Sequence, residues 1–186
     1  MTKGNVKPID ILNMLKQIDV TNLSTMRTIY NTRQKFQIED ASGMTQMQQL
    51  LHILEKNKWM LWHRKHADTN IVTDLFWSHP DSIKLLRCFS LVILMDCTYK
   101  TNRYRMPLLE IVGITSTYLT FPVGSTFISS ESHANYAWAL ENLTSILDGW
   151  PKLDVFVTYQ DLGLISVIEE VFPSSSHLLC SWHINN

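Results

Sequence analysis

The sequence predicts an α/β fold with a mixed sheet, preceded by a small helical region. A change of hydrophobic period near residue 90 is the first reason: helical spacing gives way to apolar runs of strand length that alternate with helical patterns. The second is size, since 186 residues, 45% hydrophobic and 18% charged, suffice for one domain and a smaller satellite. We therefore predict a helical region over residues 1–70 and an α/β domain over residues 71–186.

Two short amphipathic helices are predicted over residues 8–35 and a third over residues 45–57. In the first stretch Leu12, Leu15 and Ile18 recur at helical spacing. No apolar run reaches the eighteen residues of a membrane helix, and the polar start is unlike a signal peptide. Three cysteines without close, even spacing are expected to be reduced thiols.

Residues 59–66 alternate aromatic and basic side chains. Such a mixture suits phosphate contact and base stacking, which makes Arg64 and Lys65 candidate DNA-binding residues. A half-buried strand with a basic, solvated edge produces the same pattern, and this alternative stays open.

Five strands are predicted after residue 90. The first three cover residues 91–95, 108–115 and 119–128 and are expected to form an antiparallel meander. A helix should begin at residues 129–131, where two hydroxyls and an acid suit its first turn. A strand over 154–158, a helix after Asp161 and a strand over 177–180 complete the chain.

The order β-β-β-α-β-α-β is that of a ribonuclease-H-like fold, with helices packed on a five-stranded sheet. In such a sheet the first and fourth strands are neighbours, so that carboxylates at their ends can hold two divalent ions for phosphodiester chemistry. Asp96, after the first strand, fits one of these positions. An acid that ends a buried strand can equally cap a turn.

From about residue 70 to residue 186 the sequence closely resembles the Mutator-like (MULE) transposases. The matching segments are DLFW at 74–77, MDCTYKTN at 95–102, MPLL at 106–109, VG at 112–113, ESHANYAWAL at 131–140, VFP at 171–173 and HLLCSWHI at 177–184. The resemblance implies a DDE triad that binds Mg²⁺ or Mn²⁺ and cuts and joins DNA at the element ends. It also implies nuclear localisation, DNA as the partner and a homo-oligomer, with no membrane.

Carried over residue by residue, the resemblance makes Asp96 the first acid. The second acid should follow Thr158, where this chain has Tyr159, a phenol that is a poor ligand for a hard cation. Asp161, two residues further on, is a possible substitute, but it also suits a helix N-cap. The third acid has no counterpart up to Asn186. We therefore expect a C-terminally truncated, inactive copy in which binding of Mg²⁺ or Mn²⁺ is doubtful.

Cys180 and His183 match the Cys-x-x-His pair of the same superfamily. Structural zinc sites need four ligands, and His177 and His133 are not placed nearby by their spacing, so we do not expect zinc. A buried cysteine and a histidine at the sheet edge remain the alternative. Glu131 and Trp138 also match the family pattern, although helix capping and core packing explain them.

Lys100, Arg103 and Arg105 follow Asp96 in a predicted hairpin and are candidate contacts to the DNA backbone. Residues 1–105 carry 15 Lys and Arg against 9 Asp and Glu, whereas residues 106–186 carry 1 against 8. A basic front and an acidic back fit a polyanion-contacting face beside a carboxylate-rich fold. Ordinary solvated surfaces remain an alternative for both observations.

Two hypotheses about function follow. The first is a MULE-type transposase domain that keeps the fold and has lost catalysis. The second is a domesticated, non-catalytic DNA-binding or regulatory protein derived from a transposase, which relies on the basic front half. Salt-sensitive DNA binding that does not depend on Asp96 would favour the second.

Overall fold

The computed structural model describes residues 6–40, 43–147, 149, 152–181 and 183. The chain divides into two compact units, Met1–Leu50 and Leu51–Asn186. The sequence predicts a division after residue 70. The structure places it earlier because residues 60–65 form a strand of the sheet and so belong with the second unit.

The first unit contains the two helices predicted over residues 8–35. They are α1 (Pro8–Ile18) and α2 (Met26–Asp40), which contact each other. Proline at the first position of α1 costs no hydrogen bond, because that N–H would have no partner inside the helix. Leu12 and Ile29 are the buried side chains of the pair. The third predicted helix is α3 (Gln46–Lys56), which crosses the division.

The second unit is an α/β structure whose described residues form one mixed sheet of seven strands, in the order β1-β2-β5-β4-β3-β6-β7. The strands are β1 (Met60–Lys65), β2 (Val72–Ser78), β3 (Val92–Thr98), β4 (Leu108–Ile114), β5 (Thr120–Phe127), β6 (Val155–Thr158) and β7 (Ser176–Leu179). The helices are α4 (Pro80–Cys88), α5 (His133–Leu147) and α6 (Leu162–Val171). No helix in the described ranges is both long and apolar enough to cross a membrane.

The α/β class and the predicted order of elements after residue 90 are confirmed. The predicted five-stranded sheet was wrong, because the described residues form a sheet of seven strands. Strands β3, β4 and β5 form the predicted antiparallel meander, and β6 lies parallel to β3 with β7 parallel to β6. The antiparallel hairpin β1–β2 extends the sheet beyond β5. Strand β1 confirms the alternative left open for residues 59–66, a half-buried strand with a basic edge. Strand β2 was not predicted because Asp74 interrupts its apolar pattern, and the helix that follows, α4, was not predicted either.

The main core lies on one face of the sheet. Along β3 the side chains of Ile93, Met95 and Cys97 are buried, whereas the alternate residues are only half-buried. Tyr136 and Leu140 of α5 belong to the same apolar cluster. The helix begins at His133 and not at residues 129–131 as predicted. The backbone N–H groups of Asn135 and Tyr136 both donate to the carbonyl of Ser132, which marks the first turn. Residues 129–131 therefore form a separate segment before the helix.

Gly113 of β4 lies directly under the ring of Phe121, its cross-strand partner in β5. A Cβ atom at position 113 would meet the Phe121 ring at 2.4 Å. Because Phe121 is buried, the ring cannot simply move into solvent. We expect Gly113→Ala to lower the free energy of unfolding by about 1–3 kcal/mol in urea denaturation. In a Phe121→Leu background, which makes room for the methyl group, the same substitution should cost less, and an equal cost in both backgrounds would contradict the clash.

Candidate functional site

Asp96 lies near the carboxyl end of β3, in the middle of the sheet. The strand continues to Thr98, so the acid lies within the strand and not just after it, as the sequence had suggested. Its side chain is 49% exposed, and Oδ1 lies 3.6 Å from Nε2 of His183. The candidate first acid is therefore accessible from solvent at this end of the sheet.

Tyr159 directly follows β6, the strand next to β3. Met95 and Thr158 are register partners in the parallel pair β3–β6, so the next residues, Asp96 and Tyr159, come level with each other. The Tyr159 hydroxyl lies 2.8 Å from Oε1 of Glu131, 2.9 Å from Oη of Tyr136 and 3.3 Å from Oδ2 of Asp161. We call these four residues, Glu131, Tyr136, Tyr159 and Asp161, the phenol–carboxylate cluster.

Each member of the cluster is held by a different element. Glu131 ends the segment before α5, and Tyr136 lies in the first turn of that helix, where it is 1% exposed. Asp161 is the N-cap of α6, because its Oδ1 accepts the backbone N–H of Leu164 at 2.9 Å. The capping role that the sequence suggested for Asp161 is thus confirmed. Its Oδ2 accepts the hydroxyl of Tyr136 at 3.1 Å.

The phenols of the cluster are neutral at ordinary pH. Burial raises the pKa of Tyr159 far above its usual range, and its hydrogen bonds with Tyr136 and Glu131 raise it further. Burial likewise raises the pKa of Tyr136. The thiol of Cys97, on the core side of β3, has a raised pKa through burial and through its hydrogen bond with Glu131. These three groups are expected to stay protonated at pH 7.

The donor set does not fit a pair of divalent ions. Mg²⁺ and Mn²⁺ prefer carboxylate oxygens, and Tyr159 offers a neutral phenol whose hydroxyl is already hydrogen-bonded. Asp161 uses one oxygen for the helix cap and the other for phenols. Within the described part of the chain, no group of three His, Cys, Asp or Glu residues could hold a metal ion. Neither Tyr159 nor Asp161 therefore offers a carboxylate that is not already engaged, from β6 or from the start of α6.

Cys180 and His183 follow β7 at the same end of the sheet. The backbone N–H of Cys180 donates to the carbonyl of Thr158 at 2.7 Å, which extends the pairing of β7 with β6. His177 contacts Oγ1 of Thr158 through Nε2 at 2.8 Å, and His133 lies 3.0 Å from a carboxylate oxygen of Glu170. Both histidines therefore already have partners in the fold. The expectation that no zinc is bound stays a prediction.

The candidate DNA-binding residues fall into two groups. Lys100, Arg103 and Arg105 are exposed in the loop between β3 and β4, which leaves the sheet at the end where Asp96 lies. Lys65 is also exposed, at the end of β1. Arg64 is different, because its guanidinium makes an ion pair with Asp74 at 3.0 Å and lies 4.6 Å from the centre of the Trp138 ring. Arg64 therefore has partners within the fold, and its contact with DNA stays a prediction.

Arg64 belongs to a network that the sequence did not reveal. Asp74 is 2% exposed, and its second oxygen accepts the backbone N–H of Ser129 at 2.9 Å. Asn135 accepts from Arg64 and donates to the carbonyl of Ser130 at 2.8 Å. We call these residues, Arg64, Asp74 and Asn135, the arginine brace. Because the brace holds the backbone of residues 129–130, it also positions the next residue, Glu131. The network could have been found from the sequence if the β1–β2 hairpin had been predicted, because its register places Arg64 opposite Asp74.

Glu110 is a second acid at the site that the sequence did not single out. It is the cross-strand partner of Asp96 in the antiparallel pair β3–β4, and Oε2 accepts the hydroxyl of Ser125 at 3.0 Å. Directly opposed side chains in such a pair lie about 5 Å apart. The register of the predicted meander was the signal that could have found it.

Comparison with known proteins agrees with this architecture. The family model of the MULE transposase domain matches residues 92–186. Among curated proteins of Arabidopsis thaliana, FAR1-RELATED SEQUENCE 5 is 26% identical over 91% of this chain and FAR1-RELATED SEQUENCE 4 is 20% identical over 86%. FAR-RED IMPAIRED RESPONSE 1 is 22% identical over 79%. The chain spans only about a fifth of the length of these relatives, 21%, 22% and 18% respectively. Since the family model matches half of it, including Asp96 and Tyr159, the chain belongs to the MULE transposase domain family.

Proposed function

We propose that this chain is a DNA-binding domain of ribonuclease-H-like fold that does not itself cleave DNA. The fold assignment is supported by the order β5-β4-β3-β6-β7, in which an antiparallel meander is followed by two parallel strands. The observation that carries the loss of cleavage is Tyr159, which lies level with Asp96 where a carboxylate is needed. The expected site of action is the nucleus, where the DNA is.

Cleavage by two divalent ions needs carboxylates on both central strands, because each ion must be held while its bound oxygen attacks or leaves. Asp96 alone supplies one charged ligand from β3. The hydroxyl of Tyr159 is held by Glu131 and Tyr136, and burial keeps it neutral. The phenol therefore cannot replace the missing charge. A neutral group in this position supports a domain that contacts DNA without cutting it.

The exposed basic residues support DNA as the partner. Lys100, Arg103 and Arg105 lie together in one loop beside Asp96, and cations on a solvent-exposed loop suit contact with phosphates. Such binding releases counterions, so the affinity must fall steeply with salt. It should not require the Asp96 carboxylate, since a negative charge does not attract a polyanion.

The DNA-binding proposal is tested with a fluorescent duplex at several salt concentrations. The chain should bind with an affinity that falls as salt rises, and Asp96→Asn should leave it unchanged. Replacing Lys100, Arg103 and Arg105 together by Gln should reduce the slope of log K against log salt by about 2–3, since each phosphate contact contributes about 0.9. No binding at low salt would remove the proposal, and so would nicking of supercoiled plasmid by the unmodified chain with Mn²⁺.

The loss of the second acid is tested by Tyr159→Asp. A carboxylate in this position, level with Asp96, should create a site for Mn²⁺ that the unmodified chain lacks. We expect the variant to bind Mn²⁺ at least about tenfold more tightly than the unmodified chain, which corresponds to about 1.4 kcal/mol. Electron paramagnetic resonance of free Mn²⁺ during a titration measures the binding directly.

Two matched variants make the Mn²⁺ result specific. Tyr159→Phe removes the same hydroxyl without adding charge, so it should not bind Mn²⁺. Adding Asp96→Asn to Tyr159→Asp should abolish the gain. If Tyr159→Asp folds, as judged by circular dichroism, and still binds Mn²⁺ no better than Tyr159→Phe, the assignment of position 159 to the second acid is wrong.

A further inference from the structure

The loop between β3 and β4 carries two exposed tyrosines among its three basic residues. Tyr99 is 57% exposed and Tyr104 is 44% exposed. With Lys100, Arg103 and Arg105 they form what we call the tyrosine–arginine loop. We propose that this loop binds single-stranded DNA by stacking unpaired bases on the two tyrosines while the cations hold the phosphates. The proposal rests on the DNA binding proposed above and makes it specific to unpaired strands.

The loop has a defined shape. The side chain of Asn102 donates to the carbonyl of Met106 at 2.7 Å and accepts its backbone N–H at 3.2 Å, while the carbonyl of Asn102 accepts the N–H of Arg105 at 3.1 Å. Met106 itself is buried and anchors the end of the loop. A loop ordered before binding loses less conformational freedom on contact with a ligand, so its tyrosines are better stacking platforms than those of an unordered chain.

The chemistry of the loop selects unpaired nucleic acid. Exposed aromatic rings interleaved with cations are the combination that single-strand binding surfaces use, because every base has a face on which a ring can stack. The guanidinium of Arg103 lies 5.9 Å from the centre of the Tyr104 ring, so charge and aromatic face are presented together. Residues 97–109 contain no acid that would repel a phosphate. Bases inside a duplex are stacked on each other and do not offer their faces to such a surface.

The position of the loop fits the rest of the domain. It leaves the sheet at the carboxyl end of β3, the end at which Asp96 and Tyr159 also lie. A strand that stacks on Tyr99 and Tyr104 would therefore pass close to the former catalytic position. The exposed tyrosine at the opposite end of β4, Tyr118, is 89% exposed in the turn before β5 and gives a matched comparison.

The experiment compares a fluorescent 20-nucleotide single strand with the duplex of the same sequence, by anisotropy and at one salt concentration. Tyr99→Ala combined with Tyr104→Ala should weaken binding of the single strand by at least about thirtyfold, as expected for the loss of two stacked bases. Duplex binding should change less than about threefold. The matching double Phe variant keeps the rings and should bind within about twofold of the unmodified chain.

Tyr118→Ala is the control and should leave both affinities unchanged. If the double Ala variant weakens single-strand binding no more than Tyr118→Ala does, while salt-sensitive duplex binding persists, the tyrosines do not stack bases and the domain remains a duplex binder. If neither oligonucleotide is bound at low salt, both this inference and the proposed DNA binding are wrong.

Discussion

Between pH 8 and pH 11 the free energy of unfolding is expected to fall by about 5–6 kcal/mol. The cause is the set of three buried acids, Cys97, Tyr136 and Tyr159, whose pKa values are all raised in the folded state. In the unfolded chain the thiol ionises near pH 8.5–9 and the phenols near pH 10. The stabilisation by these protonated groups is therefore fully present below about pH 8, and it is lost as the pH rises above their pKa values in the unfolded chain. Each group removes up to about 1.4 kcal/mol per pH unit in that range.

Urea denaturation followed by circular dichroism at pH 8, 9, 10 and 11 measures this loss. Tyr159→Phe removes one of the three groups, so the fall between pH 8 and pH 11 should shrink by about 1.4 kcal/mol, the contribution of one phenol at pH 11. Tyr118→Phe changes an exposed phenol and should leave the pH dependence as it was. A free energy of unfolding that stays constant up to pH 11 would show that the phenols and the thiol are not buried in protonated form.

Arg64→Met is expected to lower the free energy of unfolding by about 2–3 kcal/mol. The substitution leaves the carboxylate of Asp74, 2% exposed, without its cation, and breaking a buried ion pair on one side costs about 3–5 kcal/mol. The lower figure is appropriate because the Arg64 side chain is itself 34% exposed and water partly screens the pair. Thermal or urea denaturation at pH 7 measures the change.

The neighbouring Lys65 is the matched control for Arg64. It is exposed on the same strand, so Lys65→Met should change stability by less than about 0.5 kcal/mol. In an Asp74→Asn background no buried charge is left behind, and Arg64→Met should cost clearly less than in the unmodified chain. Equal costs in the two backgrounds would mean that the arginine brace acts through packing on Trp138 and not through the charge pair.

Much of the fold could be read from the sequence because its signals are local. The continuous apolar run over residues 91–95 and the polar turn between β4 and β5 predict the meander, and Pro173 predicts the end of α6. Strand β2 could not be predicted because Asp74 interrupts its apolar pattern, and no local pattern shows that this acid is paired with Arg64 of β1. The basic and aromatic letters around Arg64 suggested a DNA contact, whereas the partner of Arg64 is an acid on the next strand.

That β3 and β6 are neighbours was predictable, whereas the surroundings of Tyr159 were not. The ends of β3 and β6 bring Asp96 and Tyr159 level with each other, as expected from the order of the strands. The direction of the Tyr159 side chain could not be derived, because it depends on Glu131 and Tyr136, which come from elements distant in sequence. Roles in metal or DNA binding stay predictions for Asp96, Cys180 and His183.

The β1–β2 hairpin also sets an order of folding events. Strands β3, β4 and β5 are joined by short connections, so they can pair quickly, whereas Leu75 of β2 pairs with Phe127 across a long stretch of chain. Bringing β2 to β5 closes a long loop, and the entropy of loop closure is lost before the pairing stabilises the sheet. In addition, β2 can pair with β5 only after β5 has joined the meander. Substitutions in the hairpin, Arg64→Met among them, should therefore speed unfolding while leaving the refolding rate nearly unchanged. The edge of the sheet would then be the last part of this domain to assemble and the first to come apart.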